Sequence, residues 1–322
     1  MEYTIRKWTA DDHEAIAAVC NAAYPQDAIR FDPTRLRYLD EVLRPKYNLQ
    51  RLIAECDGCV VATAHFYNMI SLYDPQKFFL SVAAHPDHQR RGLGGRLYDR
   101  LLETLKPFDP VRFIARCRED MTAGCRFLEQ RGFKVEIQEL ESYVALDQFD
   151  PSEYEDVVER VTGQGIAIGD LNEFEGRPGW ERNLWELITH IQADMPTSDP
   201  YTPFPYEEFR KLVLEGPDHL PQGYFIATDG DRPVGVSILL KDLSNPEELL
   251  TDDTGVHRDY RRRGIALALK AHSLGWAKRA GYKRVRTANE STNRPMLTIN
   301  ERMGFEKFPA WLRYALDLKT DH

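Results

Sequence analysis

Two short basic stretches of the sequence carry the residue types that bind phosphate. They read Gln89-Arg90-Arg91-Gly92-Leu93-Gly94 and Arg261-Arg262-Arg263-Gly264-Ile265-Ala266. Each follows an apolar run and precedes a helical pattern, so its amides are expected at a helix N-terminus, where they are unpaired and attract anions. Small residues at the fourth and sixth positions let a pyrophosphate approach the main chain, and the arginines add charge. Both stretches predict phosphate-binding loops, and neither matches a Walker loop or a dinucleotide fingerprint.

The two loops belong to an internal repeat. An offset of 172 residues places Ala84–Gly94 on Val256–Ala266 without a gap. The same offset places Arg131-Gly132-Phe133 on Met303-Gly304-Phe305, so in both halves 40 residues separate the loop glycine from the later one. Matches that keep the same order and spacing indicate a duplication.

Strands and helices are expected in the same order in both halves. In the first half we expect strands at 4–6, 51–56, 59–67, 78–84 and 111–116, a last pair of strands at 133–147, and helices opening at 11 and covering 92–105 and 122–131. In the second half we expect strands at 166–168, 224–227, 234–240, 248–256 and 283–288, final strands after 302, and helices at 180–191, 264–279 and 294–302. This order predicts an α/β fold, more exactly of the α+β kind, with a mixed sheet and helices on both faces.

The boundary between the halves is expected at Phe149-Asp150-Pro151-Ser152, a turn-forming stretch. The predicted domains are therefore 1–149 and 150–322. The pair Cys56 and Cys59 has the spacing of a metal or redox motif, but Asp57-Gly58 between two strand-like runs indicates a hairpin turn. The five cysteines are odd in number and predict neither a disulfide framework nor a metal site.

The loop pattern Q/R-x-x-G-x-G/A, followed by Gly-Phe about 40 residues on, resembles the acyl-CoA signature of GNAT-type N-acetyltransferases. The resemblance covers nearly the whole chain as two tandem GNAT folds, and the arrangement is similar to that of tandem GNAT proteins of the mycothiol-synthase type. It implies acetyl-CoA as the acyl donor, with its pyrophosphate on the amides of 90–94 and 262–266. The ends of the preceding strands, Val82 to Ala84 and Thr254 to Val256, would align the pantetheine and polarise the thioester carbonyl. Asn293 would contact the cofactor arm, although it is equally well placed to be a helix N-cap.

The catalytic groups are less clearly marked. Acyl transfer needs a neutral amine and a group that takes its proton. The resemblance implies that the base lies on the fourth strand, where the second half has Asp252 and Asp253 and the first half has Ser81. Because side chains alternate along a strand, only one of the two aspartates can face the cleft, and Asp253 is the preferred candidate. The alternative is that both face solvent.

Family members often have a tyrosine acid four residues before the late Gly-Phe glycine. Here Asn300 takes that place in the second half and Leu128 in the first. Neither side chain protonates a thiolate well, and a thiolate is a tolerable leaving group without an acid. The second half is accordingly expected to be the better-equipped catalyst.

Two further sets of residues leave alternatives open. The repeated histidines His85 and His257 are either bases near the thioester or, more often for this position, structural. An aromatic segment of the second half either lines an acceptor pocket or packs a helix: Trp180, Trp185, Tyr201, Phe204 and Tyr206.

Composition narrows the functional classes. The net charge of −9 disfavours nucleic-acid binding and is compatible with a cationic acceptor. No apolar run is long enough to span a bilayer, and the charged N-terminal stretch does not resemble a signal peptide, so a cytoplasmic protein without membrane contacts is expected.

Taken together, these observations predict an N-acetyltransferase that moves an acetyl group from acetyl-CoA directly to a primary amine of a small molecule in a ternary complex. A non-catalytic acyl-CoA-binding module and a protein-lysine acetyltransferase remain alternatives. A monomer or a homodimer is expected.

Overall fold

A computed structural model describes residues 2–28, 30–197 and 199–318. Its strands are β1 (Thr4–Lys7), β2 (Gln50–Cys56), β3 (Cys59–Tyr67), β4 (Lys77–Ala84), β5 (Arg112–Arg118), β6 (Lys134–Ala145), β7 (Ile166–Asp170), β8 (Tyr224–Asp229), β9 (Arg232–Lys241), β10 (Glu248–Val256), β11 (Arg284–Glu290), β12 (Glu306–Lys307) and β13 (Trp311–Asp317). Its helices are α1 (His13–Ala23), α2 (Pro33–Tyr47), α3 (Leu93–Leu105), α4 (Thr122–Glu129), α5 (Glu155–Thr162), α6 (Leu171–Phe174), α7 (Trp180–Ala193), α8 (Tyr206–Phe209), α9 (Ile265–Arg279) and α10 (Arg294–Arg302). None of the helices in this described part is both long and apolar enough to cross a membrane.

The chain divides into two compact units. The first unit contains the described residues of 1–138, 198–202 and 311–322, and the second contains those of 139–197 and 203–310. The sheet of the first unit has the order β1-β2-β3-β4-β5-β13, and that of the second has the order β7-β8-β9-β10-β11-β6, with β12 also on β6. Only β4 with β5 and β10 with β11 are parallel pairs among those described, so each sheet is mixed, as predicted.

The last strand of each sheet comes from the other sequence repeat. Strand β13, at the end of the second repeat, pairs antiparallel with β5 along its whole length, from Trp311 opposite Arg118 to Asp317 opposite Arg112. Strand β6, at the end of the first repeat, pairs antiparallel with β11. The predicted pair of strands at 133–147 is therefore wrong: this segment is one strand, because its partner is β11 and not a neighbouring hairpin strand. The division at 149/150 stays a prediction, and the compact units follow the strand pairings instead.

Each parallel pair separates after a short contact. Strands β4 and β5 pair over three residues each, from Lys77 opposite Arg112 to Phe79 opposite Ile114. Strands β10 and β11 likewise pair over three, starting at Glu248 opposite Arg284. Beyond these residues the two strands of each pair are not bonded to one another in the described chain, so a gap opens at their carboxyl ends, next to the basic loops.

The fourth strands of the two sheets differ in one respect. Strand β4 keeps an unbroken register with β3. Strand β10 carries a β-bulge against β9, because Thr251 lies opposite Leu239 whereas Thr254 lies opposite Ser237. The extra residue lies at Asp252-Asp253 and interrupts the alternation of side chains, as bulges do.

The helices after the loops anchor the loops to the cores. In α3, Leu93, Leu97, Leu101 and Leu105 are buried at intervals of one turn, which is the pattern of a helix with one apolar face. In α9 the corresponding face is formed by Ile265, Ala268 and Leu269. The first residue of each helix is thus fixed in the core, and the loop before it is held in place.

Candidate functional site

Both basic loops adopt the same backbone conformation. Arg90 and Gly92 in the first loop have φ values of 59° and 76°, and Arg262 and Gly264 in the second have 63° and 87°. Left-handed residues at alternate positions turn consecutive N–H groups toward one side and form an anion-binding concavity. The glycines are required because a side chain is strained at such a φ. Each loop then opens directly into its helix, as the sequence predicts.

The residues flanking the loops form hydrogen bonds that hold the loop ends in place in both halves. The Nδ1 atoms of His85 and His257 each lie 3.4 Å from the backbone nitrogen two residues on, and so cap a short turn. The Gln89 side chain donates to the Ala84 carbonyl at 2.9 Å, and Arg261 Nε donates to the Val256 carbonyl at 3.1 Å. The first residue of each motif therefore ties the loop to the end of the preceding strand.

A cavity of about 830 Å³ lies in the first unit, where β4 and β5 separate. Ligand sites generally have volumes of about 300–1,000 Å³. Among the residues predicted to bind the cofactor, six line this cavity: Val82, Ala84, Gln89, Arg90, Gly92 and Gly94. Leu93 is instead buried in the core, so that only its amide is relevant to binding, and the exposed Arg91 is not among the lining residues.

The sequence did not single out several other residues of this cavity. The Arg131 guanidinium lies 3.6 Å from the centre of the Phe127 ring and 5.2 Å from that of Tyr98. These residues line the cavity, so a cation stands on an aromatic platform beside the loop. Arg131 could have been identified from the sequence, because it directly precedes the Gly132-Phe133 pair that helps to define the repeat.

A tyrosine of this cavity lies beside Ser81, the residue that the 172-residue offset pairs with Asp253. Tyr24, which follows α1, lines the cavity and forms a hydrogen bond with Ser81 of β4. Burial raises the pKa of Tyr24 to about 12. Asp120 also lines the cavity, but it is paired with Arg118 at 2.6 Å, and this hydrogen bond lowers the pKa of Asp120. The cavity therefore contains no carboxylate poised to accept a proton among the described residues.

In the second unit, the bulge of β10 buries Asp253 and leaves Asp252 exposed. Asp253 is only 9% exposed, and the Gln192 side chain at the end of α7 donates to its Oδ2 at 2.7 Å. Burial raises the pKa of Asp253 to about 8, and the negative charge of Asp252 adds to this effect, while the bond from Gln192 opposes it. Alternation predicted that only one of the two aspartates would face inward; both lie in the bulge, and only Asp253 is buried.

A second polar cluster lies between α9 and α10. Asn300 is 3% exposed; its Oδ1 accepts a hydrogen bond from the Lys270 ammonium group, and its Nδ2 donates to Asn289 Oδ1 at 2.7 Å. Lys270 is 1% exposed and lies 4.6 Å from the centre of the Phe305 ring. Burial lowers the pKa of Lys270 to about 7. Lys270 was not predicted from the sequence, although the 172-residue offset pairs it with Tyr98 of the first cavity.

The remaining predicted residues of the second unit fall into three groups. Thr254 shares a hydrogen bond with Ser237 at 3.2 Å, and Asn293 accepts from the Met296 amide at 3.4 Å as the N-cap of α10. Val256 and Ile265 are buried, whereas Ala266 is partly exposed. Arg262 and Arg263 are exposed. Asp253 and Asn300 belong to separate hydrogen-bonded clusters.

Of the predicted aromatic segment, Tyr201 belongs to the first compact unit, and Trp185, Phe204 and Tyr206 contact one another in the second. Trp185 Nε1 donates to the Phe204 carbonyl at 3.2 Å, and the rings of Trp185 and Tyr206 lie 5.9 Å apart. Tyr206 is also bonded to Glu181. These contacts favour the helix-packing interpretation of the segment.

Two mixed sheets that open beside anion-binding loops define a duplicated acyltransferase fold, and comparison with known proteins gives the same result. The sequence matches the acetyltransferase (GNAT) family over residues 6–133 and again over 185–305. The chain belongs to the GNAT acetyltransferase family, in a tandem arrangement, as the loop motifs predicted. It is an acyl-CoA-dependent N-acyltransferase.

Similar proteins support both the single fold and its duplication. A mycothiol acetyltransferase of Actinosynnema mirum is 25% identical over 281 residues, covering 82% of this chain and 83% of that protein. N-alpha-acetyltransferase 30 of Schizosaccharomyces pombe is 29% identical over 136 residues, covering 42% of this chain and 85% of that protein.

Solved structures show the same fold over the whole chain. A tandem GNAT protein from the clavulanic acid biosynthesis pathway aligns with a TM-score of 0.75 at 17% identity, covering 100% of both chains. A GCN5-related N-acetyltransferase from Sphaerobacter thermophilus aligns with a TM-score of 0.70 at 20% identity, covering 99% of this chain and 97% of that one.

Proposed function

We propose that the protein transfers an acetyl group from acetyl-CoA to a primary amine of a small molecule, with both substrates bound together, and that the second unit performs the reaction. The observation that carries this proposal is Asp253, a buried carboxylate on the bulge of β10 whose pKa is raised to about 8. A base works best when its pKa lies near the operating pH. Asp253 would take the proton that the amine loses when its nitrogen attacks the thioester.

The binding of acetyl-CoA is supported by the two loops. Each presents amides at a helix N-terminus with left-handed residues at alternate positions, and each lies beside a gap between parallel strands. The pyrophosphate would lie on the amides of 90–94 and 262–266, and the pantetheine would enter the gap. The free edge of β10 near Thr254 to Val256 would then face the thioester.

A small acceptor is favoured by the burial of the base. A carboxylate that is 9% exposed suits an amine that enters a narrow site, and the negative charge of Asp252 beside it attracts an ammonium group. A protein lysine is the competing acceptor. Because part of the chain is similar to an N-alpha-acetyltransferase, a peptide acceptor is included in the test below.

For the first unit, two residue differences from the second unit favour a different function, the binding of acyl-CoA without catalysis. Ser81 stands where the second unit has the end of its bulge, and Leu128 stands where it has Asn300. The first cavity would then bind acyl-CoA without transferring the acyl group.

The proposal is tested by measuring thiol release from acetyl-CoA with a panel of amino sugars, polyamines and other small amines, and with a lysine-containing peptide. Turnover with a small amine, and initial-velocity lines that intersect when both substrates are varied, would support direct transfer. Parallel lines would indicate a covalent acyl-enzyme instead. Turnover with the peptide alone would show a protein acetyltransferase, and binding of acetyl-CoA without turnover on any acceptor would overturn the enzymatic proposal.

A further inference from the structure

The cluster of Lys270, Asn300, Asn289 and Phe305 corresponds residue by residue to one wall of the first unit's cavity. Subtracting the 172-residue offset gives Tyr98, Leu128, Cys117 and Phe133, and all four line that cavity. The bounds of the elements support this alignment, because α3 and α9, β5 and β11, and α4 and α10 begin at positions that differ by the same offset. By this alignment the cluster lies at the wall of the gap between β10 and β11, where the proposed function places acyl-CoA.

The two walls have opposite chemical character. In the first unit the wall is apolar apart from the Tyr98 hydroxyl and the Cys117 thiol. In the second unit it contains an ammonium group and two amides. Burying an ammonium group costs folding free energy. Among the described residues no carboxylate pairs with Lys270, and its partners are a single amide oxygen and an aromatic face.

The hydrogen bonds fix the orientation of the Asn300 amide. An ammonium group has no acceptor, so Lys270 must bond to the oxygen of Asn300. The nitrogen of Asn300 has two N–H groups, and one of them is taken by Asn289 Oδ1. Within 2–28, 30–197 and 199–318 no acceptor is found for the other. Asn300 thus keeps one N–H donor, polarised by a cation on its oxygen.

We infer that this donor binds the sulfur of the departing coenzyme A, so that Asn300 stabilises the thiolate directly and Lys270 acts as a positioning residue behind it. When the amine nitrogen forms its bond to the acyl carbon, the carbon–sulfur bond breaks and its electron pair stays on sulfur. The amine proton passes to Asp253. The thiolate leaves as an anion held by the amide, and it takes a proton from water after release, while Asp253 returns its own to solvent. The inference rests on the proposed function of the second unit.

This arrangement explains how a site without a hydroxyl acid can release a thiolate. A hydrogen bond to a charged group is stronger than one between neutral groups, and more so in a buried site. Burial lowers the pKa of Lys270, but a negative sulfur on the Asn300 amide raises it again, so Lys270 is protonated when the thiolate is present. Its charge then adds an attraction to the sulfur that a neutral leucine at the same place, as in the first unit, cannot provide. Asn289 and Lys270 together prevent the amide from turning its oxygen toward the thiolate.

The test titrates the thiol of coenzyme A bound to the full-length protein, by the ultraviolet absorbance of the thiolate. Absorbance of the complex with desulfo-coenzyme A is subtracted to remove the protein's own cysteines. The variants are Lys270→Met, which keeps the length of the side chain without charge, and Asn300→Leu, which reproduces the residue of the first unit. Lys307→Met, at a lysine whose side chain is 58% exposed, is the matched control. Coenzyme A bound in the first unit contributes equally in all cases and cancels in the comparison.

Both variants are expected to raise the pKa of the thiol bound in the second unit by about 1 or more, and Lys307→Met is expected to leave it unchanged. In turnover, both are expected to lower kcat by about 100-fold with little change in KM for acetyl-CoA. A thiol pKa equal to that of the wild type in both variants would overturn the inference, even if the enzyme is active.

Failure of the inference and failure of the proposed function can be told apart, because the titration needs no acceptor amine. If Lys270→Met does not fold, Asn300→Leu alone decides. If the titration behaves as expected while no amine is acetylated, the proposed acceptor class is wrong and the thiolate site remains.

Discussion

In the first unit the end of α1 places Tyr24 against Ser81 of β4, whereas in the second the end of α7 places Gln192 against Asp253 of β10. The loops before α3 and α9 have the same backbone angles, and the parallel strands beside them separate after three residues in each case. The units therefore differ in the side chains that handle protons and the leaving group. A phosphate-binding loop alone therefore does not identify a catalytic site. The same loop lies beside a largely apolar gap in the first unit and beside a polar gap in the second.

The largest expected effect comes from removing the base. Asp253→Asn keeps the shape of the side chain but cannot take a proton, so kcat is expected to fall by about 10²–10⁴-fold, measured as thiol release. Asp231→Asn, at an exposed aspartate in the turn between β8 and β9, is the control and is expected to retain full activity. Full activity in Asp253→Asn would move catalysis away from this carboxylate and weaken the contrast between the units.

A second effect concerns stability and follows from the buried lysine. Burial lowers the pKa of Lys270 to about 7 from the ordinary 10.5, so between these values the unfolded chain binds the proton more strongly. Lys270 therefore costs the fold most below pH 7, and this cost diminishes as the pH rises toward 10.5. Lys270→Met is expected to be more stable than the wild type at pH 6 by on the order of a few kcal/mol, with a gain that shrinks by pH 9.

Denaturant unfolding at the two pH values measures this gain. A constant difference between the two proteins would show that Lys270 has an ordinary pKa, and the polar wall would then be less strained than the structure indicates.

A third effect tests whether both loops bind acetyl-CoA. Gly92→Val and Gly264→Val place a β-branched side chain at φ values of 76° and 87°, and the added Cβ itself would meet nothing closer than 3.6 Å. Backbone strain of about 1–3 kcal/mol should weaken binding in the altered unit by roughly 5–150-fold. Calorimetry is expected to show two sites in the wild type and one in each variant.

Only Gly264→Val should also lose turnover. Gly58→Val, at a glycine of φ 77° in the β2–β3 turn, introduces a similar strain away from both loops and serves as the control. Equal loss of turnover in Gly92→Val would place catalysis in the first unit as well.

The smallest effect is a displacement of the pH profile. Since Asp253 must be deprotonated, kcat/KM is expected to rise with pH through about 8. Gln192→Leu removes the hydrogen bond that lowers the pKa of Asp253, so the rise should move to higher pH. Asp252→Asn removes a charge that raises this pKa, so the rise should move to lower pH. Profiles that shift in the same direction for both variants would contradict this assignment.

The sequence was informative wherever the structure depends on local backbone conformation. Gly92 and Gly264 are predictable because only glycine tolerates their φ values easily, and Asp57-Gly58 forms the expected turn for the same reason. Asn293 is the N-cap of α10, which was one of the two roles predicted for it. Helix α2 was not predicted, although Asp32 followed by Pro33 is a recognisable helix start.

The features that distinguish the two units were not predictable from local patterns. The bulge at Asp252-Asp253 adds one residue to β10, so the two repeats are shifted by one residue on one side of it. An alignment with a single constant offset does not reveal this shift. Lys270 lies on a helix, where a lysine is ordinarily assigned to solvent, but it is buried against Asn300 of α10 and the ring of Phe305. The partners of β6 and β13 depend on pairings between residues more than a hundred positions apart.

The exchange of the last strands has a consequence for how the duplication can be divided. A cut near Asp150 would yield two fragments that correspond to the two repeats, and each would keep a strand belonging to the other's sheet. Neither fragment could close its own sheet without refolding, because the edges of β5 and β11 are completed by seven residue pairs each from the opposite fragment. The nicked protein would therefore persist as a non-covalent heterodimer, and a gene encoding one repeat alone would produce a chain that needs a second copy to be whole.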